Sequence, residues 1–326
     1  MSPAATTSDV EAIFRFNDPD PDITAEDRAL FAIAAAKTVT EKKLTLHDLR
    51  TANHLPSDSE CLHKHGFTVV RNSVDTNAWS SAENIDSIYI PAISSLLKDL
   101  TGCKTVLVNN VAFRRKRVKQ QADPKFYHKP GGMLDTLAKS MPTDRPFITP
   151  FEVEKTIEPA RGIHVDYTLT GLRNTIRHCR ADFAEAGAEH LRALDDNSPT
   201  RGPRVAAFSI WRPLKTVTRD PIAVLDYKTA TPSRWKTFEY RSPGYKGEFL
   251  LEATAVNAPD EDEADEPKFY YVSEQRPDEV MIIKFADSES EIDSDVAAGC
   301  GHGSPAIVGQ YGETRESIEA RVLAFW

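Results

Sequence analysis

The chain has 326 residues, of which 40% are hydrophobic, and its formal net charge at pH 7 is −9. This length and apolar content allow a sizeable core. The acidic balance disfavours nucleic acid and anionic lipid as main partners, because both carry negative charge. We see no apolar run of about 18 residues that predicts a transmembrane helix, and no secretory signal. The four cysteines lack CxxC spacing, so we expect reduced thiols in a cytoplasmic protein.

The N-terminal part of the chain is predicted to be an extended segment followed by a helix. Residues 1–22 are rich in Pro, Asp and Ser and are predicted to be extended. Thr24, with Asp27 three residues later, has the pattern of a helix N-cap before the sequence RALFAIAAAKTVTE. We therefore expect a helix to begin here.

Helix and strand patterns then alternate. Residues 81–102 and 173–196 each carry apolar side chains at helical spacing, and Gly102 is a helix-ending residue. A strand is predicted over 104–118. Residues 120–150 have little periodicity and several prolines and glycines, so we predict an irregular and functional segment.

Strand patterns dominate the second half of the chain. The β-rich runs are 204–214, 221–229, 247–256, 268–275, 279–288 and 316–326. Short strands joined by turn signals are typical of a sandwich or barrel. We therefore predict an α+β protein with a single domain over residues 23–326, helical in its first third, with its β-core starting at about residue 104.

The stretch PARGIHVDYTLTG, residues 159–171, places His164 and Asp166 two positions apart. Residues i and i+2 of a strand point the same way, with Cα atoms about 6–7 Å apart, so both side chains can bind one metal ion. Chance alone produces about 0.7 such pairs in a chain of this composition. On spacing alone, an ordinary strand with one satisfied histidine therefore explains the pair better.

A metal site also needs a third ligand, and His302 is the late candidate. It lies in AAGCGHGSPAIVG, before the last predicted strand, and no other histidine follows His190. Two histidines and one carboxylate form the facial triad that binds ferrous iron and leaves positions open for other ligands. The alternative is a loop histidine in a flexible glycine-rich turn.

The last predicted strand carries an R-x-S pair, Arg315 and Ser317. If this strand is unbroken, Glu319 and Arg321 share its polar face. The guanidinium fork matches a carboxylate, which the far end of a dicarboxylic keto acid would require. An ordinary polar strand face is the alternative. The conjunction of HxD, a late histidine and R-x-S nevertheless favours a metal site over chance.

Several segments together resemble one fungal family. They are HVDYT, SIWRPL, RDPIAVLDYKT, KFYYVSEQRPDEVMIIKFADS and RESIEARVLAFW. The family is described as similar to the cephamycin 7-methoxylation protein and the gibberellin desaturase, and it is grouped with the iron(II)/2-oxoglutarate-dependent oxygenases of fungal secondary metabolism. The resemblance covers residues 60–326. It implies a double-stranded β-helix, a jelly-roll or cupin-like core, with N-terminal and inserted helices packed outside.

The resemblance also assigns roles to residues. The implied Fe(II) ligands are His164, Asp166 and His302. The candidate groups for binding 2-oxoglutarate are Arg315, Arg321, Arg212 and the Ser317 hydroxyl. The candidate substrate-pocket residues are Trp211, Tyr167 and Arg114. After the distal histidine the family has HSAF, whereas this chain has HGSPAIVGQYGE. We therefore expect a changed loop at the open face.

The enzyme implied by the resemblance uses 2-oxoglutarate and O2 to oxidise an unactivated C–H bond of a small molecule. Hydroxylation, desaturation and oxidative cyclisation all remain open, as does the oligomeric state, since the outcome depends on ångström-scale placement. One alternative is a non-catalytic, accessory metal-binding protein with a cupin-like barrel and no keto-acid site. A zinc hydrolase using Cys61, His63 and His65 is disfavoured, because these residues lie in a short polar loop without a matching second half.

Overall fold

Two β-sheets form the body of the protein in the computed structural model, which describes residues 9–118, 128–149, 152–196, 201–260, 266–309 and 312–326. The strands are β1 (Val10–Pro19), β2 (Ala36–Asp48), β3 (Phe67–Arg71), β4 (Thr105–Arg114), β5 (Phe147–Ile148), β6 (His164–Val165), β7 (Val205–Pro213), β8 (Ala223–Leu225), β9 (Trp235–Gly244), β10 (Gly247–Val256), β11 (Phe269–Tyr271), β12 (Glu279–Asp287), β13 (His302–Gly303), β14 (Ala306–Ile307) and β15 (Ser317–Phe325).

The helices are short. They are α1 (Asp58–Lys64), α2 (Ala82–Asn84), α3 (Ile90–Thr101), α4 (Met133–Lys139), α5 (Leu169–His178), α6 (Ala181–Ala186) and α7 (Ala188–Asp195). A π-helical turn, Ile85–Tyr89, links α2 to α3. The 3₁₀ turns are Thr76–Trp79, Val153–Lys155, Tyr227–Thr229, Pro232–Arg234 and Ser288–Glu291. No helix in the described ranges combines the length and apolar character needed to cross a membrane.

The two sheets enclose the main core. One sheet has nine strands in the order β14-β1-β2-β11-β8-β13-β6-β10-β9, and the other has six in the order β3-β12-β7-β15-β4-β5. A single cluster of buried side chains joins Val224 and Tyr270 of the first sheet to Trp211 and Met281 of the second. Apolar burial between the sheets therefore holds them together.

Strand β15 has one apolar and one polar face, as its sequence predicts. Ile318, Ala320 and Val322 are fully buried and belong to the cluster that contains Ile93 and Leu97 of α3. The intervening residues face the other way, toward the space between the sheets. The amphipathic helix α3 thus covers one face of the six-stranded sheet, and the polar face of β15 is left to build a site.

The helix predicted after Thr24 is wrong. The Thr24 backbone N–H and hydroxyl both donate to Asp27 Oδ2, at 2.8 and 2.9 Å, so the capping pattern closes only a local turn. Ala32, Ala34 and Ala35 lie in a loop, and strand β2 begins at Ala36 and pairs with β1 over ten register positions. That long-range ladder outweighs the helix propensity of the alanines. Three strands therefore precede residue 104, and the first third is not mainly helical.

Other predictions of secondary structure are confirmed, with changes of detail. The helix over 81–102 exists and ends at Gly102, whose φ of 73° is left-handed. The single helix predicted over 173–196 is divided into α5, α6 and α7. Gly187 separates the last two, and a Cβ there would lie 2.4 Å from Ile176 Cγ2. Each β-rich run of the second half contains a strand.

The segment predicted to be irregular, residues 120–150, is only partly described. Residues 119–127 and 150–151 lie outside the described ranges, as do residues 1–8 of the predicted extended segment. Within the described part, α4 and β5 are present, so this region is more regular than its sequence indicates. The prolines and glycines of this segment did not indicate the seven-residue helix α4.

Candidate metal centre and cosubstrate cavity

Two short strands place His164 and His302 side by side. Strands β6 and β13 are antiparallel neighbours, and these two histidines are direct register partners. The centroids of their rings are 4.5 Å apart. Opposite residues on neighbouring strands project to the same face of a sheet. The cross-strand register therefore brings two residues that are 138 positions apart (302 − 164) to one point.

Asp166 completes a cluster of three candidate metal ligands. Its Oδ1 lies 3.9 Å from His164 Nε2, and its Oδ2 lies 3.7 Å from His302 Nε2. The three ligand atoms all lie within 4.8 Å of one another. Among the described residues, no other group of His, Cys, Asp and Glu side chains meets this spacing. The structure thus brings together the three residues that the sequence named.

The backbone fixes the orientation of both imidazoles. His164 Nδ1 lies 2.8 Å from the Gly162 carbonyl oxygen, and His302 Nδ1 lies 3.1 Å from that of Cys300. A carbonyl only accepts hydrogen bonds, so we infer that each Nδ1 carries the proton and donates it. Each Nε2 then keeps a free lone pair that faces Asp166. This is the arrangement that metal-binding histidines require.

Burial keeps the imidazole of His164 in its metal-binding form. Desolvation, reinforced by the neighbouring His302, lowers the pKa of His164 to about 4. The ring is therefore neutral at pH 7. A neutral imidazole can donate its lone pair to a metal ion without first losing a proton.

Arg321 contacts the carboxylate of the cluster. Its Nη2 donates to Asp166 Oδ1 at 2.9 Å. Burial alone would raise the pKa of the Asp166 carboxyl, but the positive charge of Arg321 outweighs this effect, so that pKa is held well below its usual range. Arg321 lies on β15 of the six-stranded sheet, whereas Asp166 follows β6 of the nine-stranded sheet. The contact therefore links the sheets at the cluster.

A cavity between the sheets opens onto this cluster. Its lining residues are Arg114, Ala160, His164, Asp166, Ser209, Trp211, Ile222, Ile283, His302, Gly303, Ser304, Arg315 and Glu319. Trp211 and Glu319 are register partners on β7 and β15, so they enter the cavity side by side. The cavity combines the three candidate metal ligands with the guanidinium groups of Arg114 and Arg315.

Arg315 is a buried cation without a carboxylate partner in the described part of the chain. Its Nη1 donates to the carbonyl of Asp220 at 3.2 Å, and its guanidinium carbon lies 5.3 Å from the centre of the Trp211 ring. Burial, together with the charge of Arg114, lowers the pKa of Arg315 to about 9. Burying an unpaired charge is unfavourable. An anionic ligand in the cavity would relieve this cost.

Three buried polar atoms beside Arg315 also lack hydrogen-bond partners. They are Arg315 Nε, Ser317 Oγ and Trp211 Nε1. A buried donor left unsatisfied costs about 1–3 kcal/mol. All three groups can donate, and a carboxylate offers two oxygens with several acceptor positions. This donor set fits the distal carboxylate of a keto acid whose other end reaches the metal ligands.

Arg114 also lines the cavity, but its donors are occupied. Its Nε and Nη2 each donate to a carboxylate oxygen of Glu319 at 2.9 Å, and its Nη1 donates to the Glu158 carbonyl at 2.8 Å. The charges of this pair cancel locally. A substrate carboxylate would therefore have to compete with Glu319 for Arg114.

Four of the predicted site residues are not among the residues that line the cavity: Arg212, Tyr167, Ser317 and Arg321. Arg212 follows Trp211 in β7, and adjacent residues of a strand face opposite sides. Since Trp211 points inward, Arg212 points outward, where it donates to the carbonyls of Asn72 and Pro277 at 2.7 and 2.8 Å. The Tyr167 hydroxyl accepts a hydrogen bond from Asn109 Nδ2 at 3.1 Å.

The zinc site considered for Cys61, His63 and His65 is not assembled, and Cys61 and His63 lie in helix α1 rather than in the expected loop. His65 Nδ1 lies 2.7 Å from Asp226 Oδ1, whereas the contact of His63 with Lys284 uses only its carbonyl oxygen. Cys61 is a buried free thiol. These residues therefore point to different neighbours, and the zinc hydrolase reading has no site in the described ranges.

Two polar residues that line the cavity, Ser209 and Ser304, were not predicted from the sequence, nor was Asp220, which contacts Arg315. Ser304 stands two positions after His302, so the same alternation that relates His164 to Asp166 would have placed it beside its histidine. Asp220, whose carbonyl contacts Arg315, has no comparable signal. Its only mark in the sequence is its position before Pro221.

Comparisons with known proteins agree with this geometry. A family model described as an oxidoreductase/YMDC permease-like domain matches residues 14–325. The gibberellin cluster GA4 desaturase of Gibberella fujikuroi is 30% identical over 319 residues, which cover 90% of each chain. The Fe(II)/2-oxoglutarate-dependent dioxygenase nvfI of Aspergillus novofumigatus is 26% identical over 300 residues, covering 88% of this chain and 84% of the relative.

The fold has a solved counterpart. The iron and alpha-ketoglutarate-dependent endoperoxidase NvfI superposes with a TM-score of 0.65 and 22% identity, covering 98% of both chains. At this identity the match establishes the fold alone, in agreement with two facing sheets and a jelly-roll type of core. The family resemblance predicted from the sequence is confirmed by the relatives. The chain therefore belongs to this oxidoreductase family, together with the fungal Fe(II)/2-oxoglutarate-dependent dioxygenases and desaturases.

Proposed function

We propose that this chain is an iron(II)- and 2-oxoglutarate-dependent oxygenase of fungal secondary metabolism. It oxidises an unactivated C–H bond of a small molecule, by hydroxylation, desaturation or oxidative cyclisation. One observation carries the proposal: a His-Asp-His cluster shares a cavity with Arg315, a buried cation without a carboxylate partner among the described residues. The names of the relatives support the same chemistry.

In this proposal His164, Asp166 and His302 hold Fe(II). Two neutral imidazoles and one carboxylate are the donor set of the facial triad. When bound, the iron supplies O2 activation coupled to oxidative decarboxylation of 2-oxoglutarate. The protein holds the two histidines by their Nδ1–carbonyl hydrogen bonds and the carboxylate by Arg321. Arg321 is thus a positioning residue for Asp166.

Arg315 then binds the distal carboxylate of 2-oxoglutarate, assisted by Ser317 and Trp211. Their unsatisfied donors support this role. Arg315 is favoured over the other two arginines on position. Arg321 is engaged by Asp166, and Arg212 lies on the opposite face of β7. Only Arg315 among these three lines the cavity.

The substrate faces a cavity lining that is partly apolar and partly formed by an ion pair whose charges cancel. Ile222, Ile283 and Trp211 form the apolar part of the lining, while Arg114 and Glu319 present a paired, polar surface. Exclusion of water strengthens the electrostatic contacts made inside. These residues position the substrate for C–H oxidation, and they define the kind of small molecule that fits.

The proposal includes the architecture and the cellular setting. The two facing sheets are the halves of a double-stranded β-helix with the helices packed outside. The single oxygenase domain expected over residues 23–326 extends to include β1, whose ladder joins β2 and β14. A cytoplasmic protein without nucleic-acid or membrane partners is consistent with the net charge of −9 and with four free cysteines.

An anaerobic titration tests the proposal. Fe(II)-loaded protein is mixed with 2-oxoglutarate, and the weak metal-to-ligand charge-transfer band in the visible region is followed. We expect a band for the wild type and its loss in His164→Ala. A folded, iron-loaded wild type without a band would contradict the proposal and would favour the accessory-protein alternative, which lacks a keto-acid site.

A further inference from the structure

Asp220 has an unusual backbone conformation beside the cavity. Its φ is 50°, in the left-handed region that residues with a Cβ rarely adopt. The next residue is Pro221, whose ring further restricts the residue before it and disfavours α-type conformations. Such a conformation persists only where the surroundings enforce it, and it is concentrated at functional sites.

Two arginines hold the side chain of Asp220. Arg161 Nη2 donates to Oδ1 at 2.6 Å, and Arg219 Nε donates to Oδ2 at 3.1 Å. The residue is buried. Each carboxylate oxygen therefore has its own charge-assisted hydrogen bond, and such bonds are among the strongest in proteins. This clamp opposes relaxation of the strained backbone.

The carbonyl of Asp220 is turned toward two cavity residues. It accepts from Arg315 Nη1 at 3.2 Å and from Ser304 Oγ at 2.9 Å. Arg161, which holds the carboxylate, also donates from Nη1 to the Ser304 carbonyl at 2.7 Å. Asp220, Arg161 and Ser304 thus form a closed ring of contacts, and Arg315 is attached to that ring.

This attachment is the polar anchor of Arg315. Among the described residues, the Asp220 carbonyl is the hydrogen-bond acceptor that Arg315 contacts, and its other close neighbour is the face of Trp211. A ring face restrains the plane of a guanidinium but leaves it free to slide. The carbonyl therefore determines where along Trp211 the guanidinium sits.

We propose that Asp220 is a positioning residue that aims Arg315 at the distal carboxylate of the keto-acid cosubstrate, acting through its strained peptide carbonyl. The inference rests on the proposed binding of 2-oxoglutarate by Arg315. The carboxylate clamp holds the left-handed backbone, and the backbone directs the carbonyl. Loss of the clamp then weakens cosubstrate binding without any change in the metal ligands.

Three substitutions separate the side chain from the backbone. Asp220→Asn removes the charge but keeps a residue that tolerates the left-handed region. Asp220→Gly removes the clamp and leaves that region accessible, whereas Asp220→Ala removes the clamp and disfavours it. We expect the dissociation constant for 2-oxoglutarate to rise in the order Asn, Gly, Ala, with Ala weaker than wild type by about ten-fold or more.

The test compares two ligands on the Fe(II)-loaded, anaerobic protein. 2-Oxobutyrate has the same chelating end as 2-oxoglutarate but lacks the distal carboxylate. We expect wild type to prefer 2-oxoglutarate strongly, and Asp220→Ala to lose most of that preference while 2-oxobutyrate binds as before. General destabilisation would weaken both ligands alike. In a double variant with Arg315→Leu, Asp220→Ala should cause no further loss, because both act on one contact.

Asp226 provides the matched control. It is a buried aspartate whose carboxylate contacts His65 and a backbone N–H, and it does not line the cavity. Asp226→Asn should leave the ligand preference unchanged. If folded Asp220→Ala keeps the preference for 2-oxoglutarate over 2-oxobutyrate, the inference about Asp220 is overturned, but the role of Arg315 is not. Absence of any preference in wild type would overturn it together with the role of Arg315. If Asp220→Ala does not fold, the other two variants decide. The inference is overturned if Asp220→Gly and Asp220→Asn prefer 2-oxoglutarate over 2-oxobutyrate to the same degree.

Discussion

His302 lies directly opposite His164 in the pairing of β13 with β6, so one cross-strand register assembles both imidazoles of the candidate metal site. The same pairing leaves each Nδ1 against a carbonyl and each Nε2 toward Asp166. The sheet therefore sets the positions of both imidazoles, and Asp166 follows directly after β6. Rigid elements hold ligands more accurately than loops do.

Replacing a ligand should abolish metal binding. We expect His302→Ala to weaken binding of Mn(II), used as a redox-stable probe, by about 100-fold or more, since two ligands cannot replace a triad. Isothermal titration calorimetry measures this directly. His178 is a half-buried helical histidine away from the cavity, and His178→Ala should bind Mn(II) as wild type does. Equal affinity in the two variants would contradict the assignment.

Removing Arg321 should weaken metal binding without removing a ligand. Arg321→Leu leaves Asp166 without the guanidinium that orients it, and loss of an orienting partner typically weakens metal affinity by 10- to 100-fold. We expect about a ten-fold rise in the dissociation constant for Mn(II) and a changed visible spectrum of the Co(II) form. Arg321→Lys, which keeps a donor, should recover part of the loss. An unchanged Co(II) spectrum in Arg321→Leu would argue for a purely structural contact.

Local sequence patterns predicted the site better than the N-terminal fold. The pairing of His164 with Asp166 was predicted from strand alternation, and the two side chains do converge although Asp166 lies just after β6; the polar face of β15 follows from the same alternation. The helix after Thr24 was wrong because its cap and alanines are local signals, whereas β2 is held by pairing with β1. Hydrogen-bond pairing between two segments that are distant in the sequence produces no recognisable pattern in the sequence of either segment.

The arginines illustrate the same limit. Arg321 lies in β15, whereas Arg315 precedes the strand by two residues; six residues of extended chain span about 20 Å, so the two arginines cannot serve one carboxylate. The spacing in the sequence therefore indicates that the two arginines have different roles. Only the contact with Asp166 shows that Arg321 is the one beside the candidate metal ligands. Arg212 was excluded by the inward orientation of its neighbour Trp211. The role of Asp220 depends on its φ and on distant partners, neither of which has a sequence signature.

Arg315 and Arg212 form a matched pair for testing cosubstrate binding. Both are buried arginines, but only Arg315 lines the cavity. We expect Arg315→Lys to raise the dissociation constant for 2-oxoglutarate by about ten-fold or more, since an ammonium cannot reproduce the fork. Arg212→Lys should lower the thermal midpoint while leaving that constant near its wild-type value. The reverse result would move the cosubstrate site to the other face of β7.

The Arg114–Glu319 pair should be coupled in stability. Both side chains are largely buried, and two parallel hydrogen bonds join them. Glu319→Ala leaves a buried cation unpaired, so we expect a loss of about 3 kcal/mol in the free energy of unfolding. The double variant Arg114→Met/Glu319→Leu should lose less than the sum of the single variants. Urea denaturation of all four proteins measures the coupling, and simple additivity would mean that the pair contributes no net interaction.

The buried His164 should make the metal-free protein sensitive to mild acid. Its pKa is about 4 in the folded state, below the usual 6.5, so the unfolded chain takes up the proton first as the pH falls. The stability from the neutral ring is fully present above pH 6.5 and is lost as the pH falls toward 4. Asp166, whose pKa is lowered from 3.8, loses its contribution only below this window.

We expect this loss to be on the order of 2 kcal/mol, which allows for partial exposure of the ring. Urea denaturation of the metal-free protein between pH 7 and 4.5 measures it. His164→Asn, which cannot take up a proton, should show a shallower pH dependence than wild type. Parallel curves for the two proteins would mean that the pKa of His164 is the same in the folded and the unfolded state. That result would contradict the desolvated ring inferred from the structure.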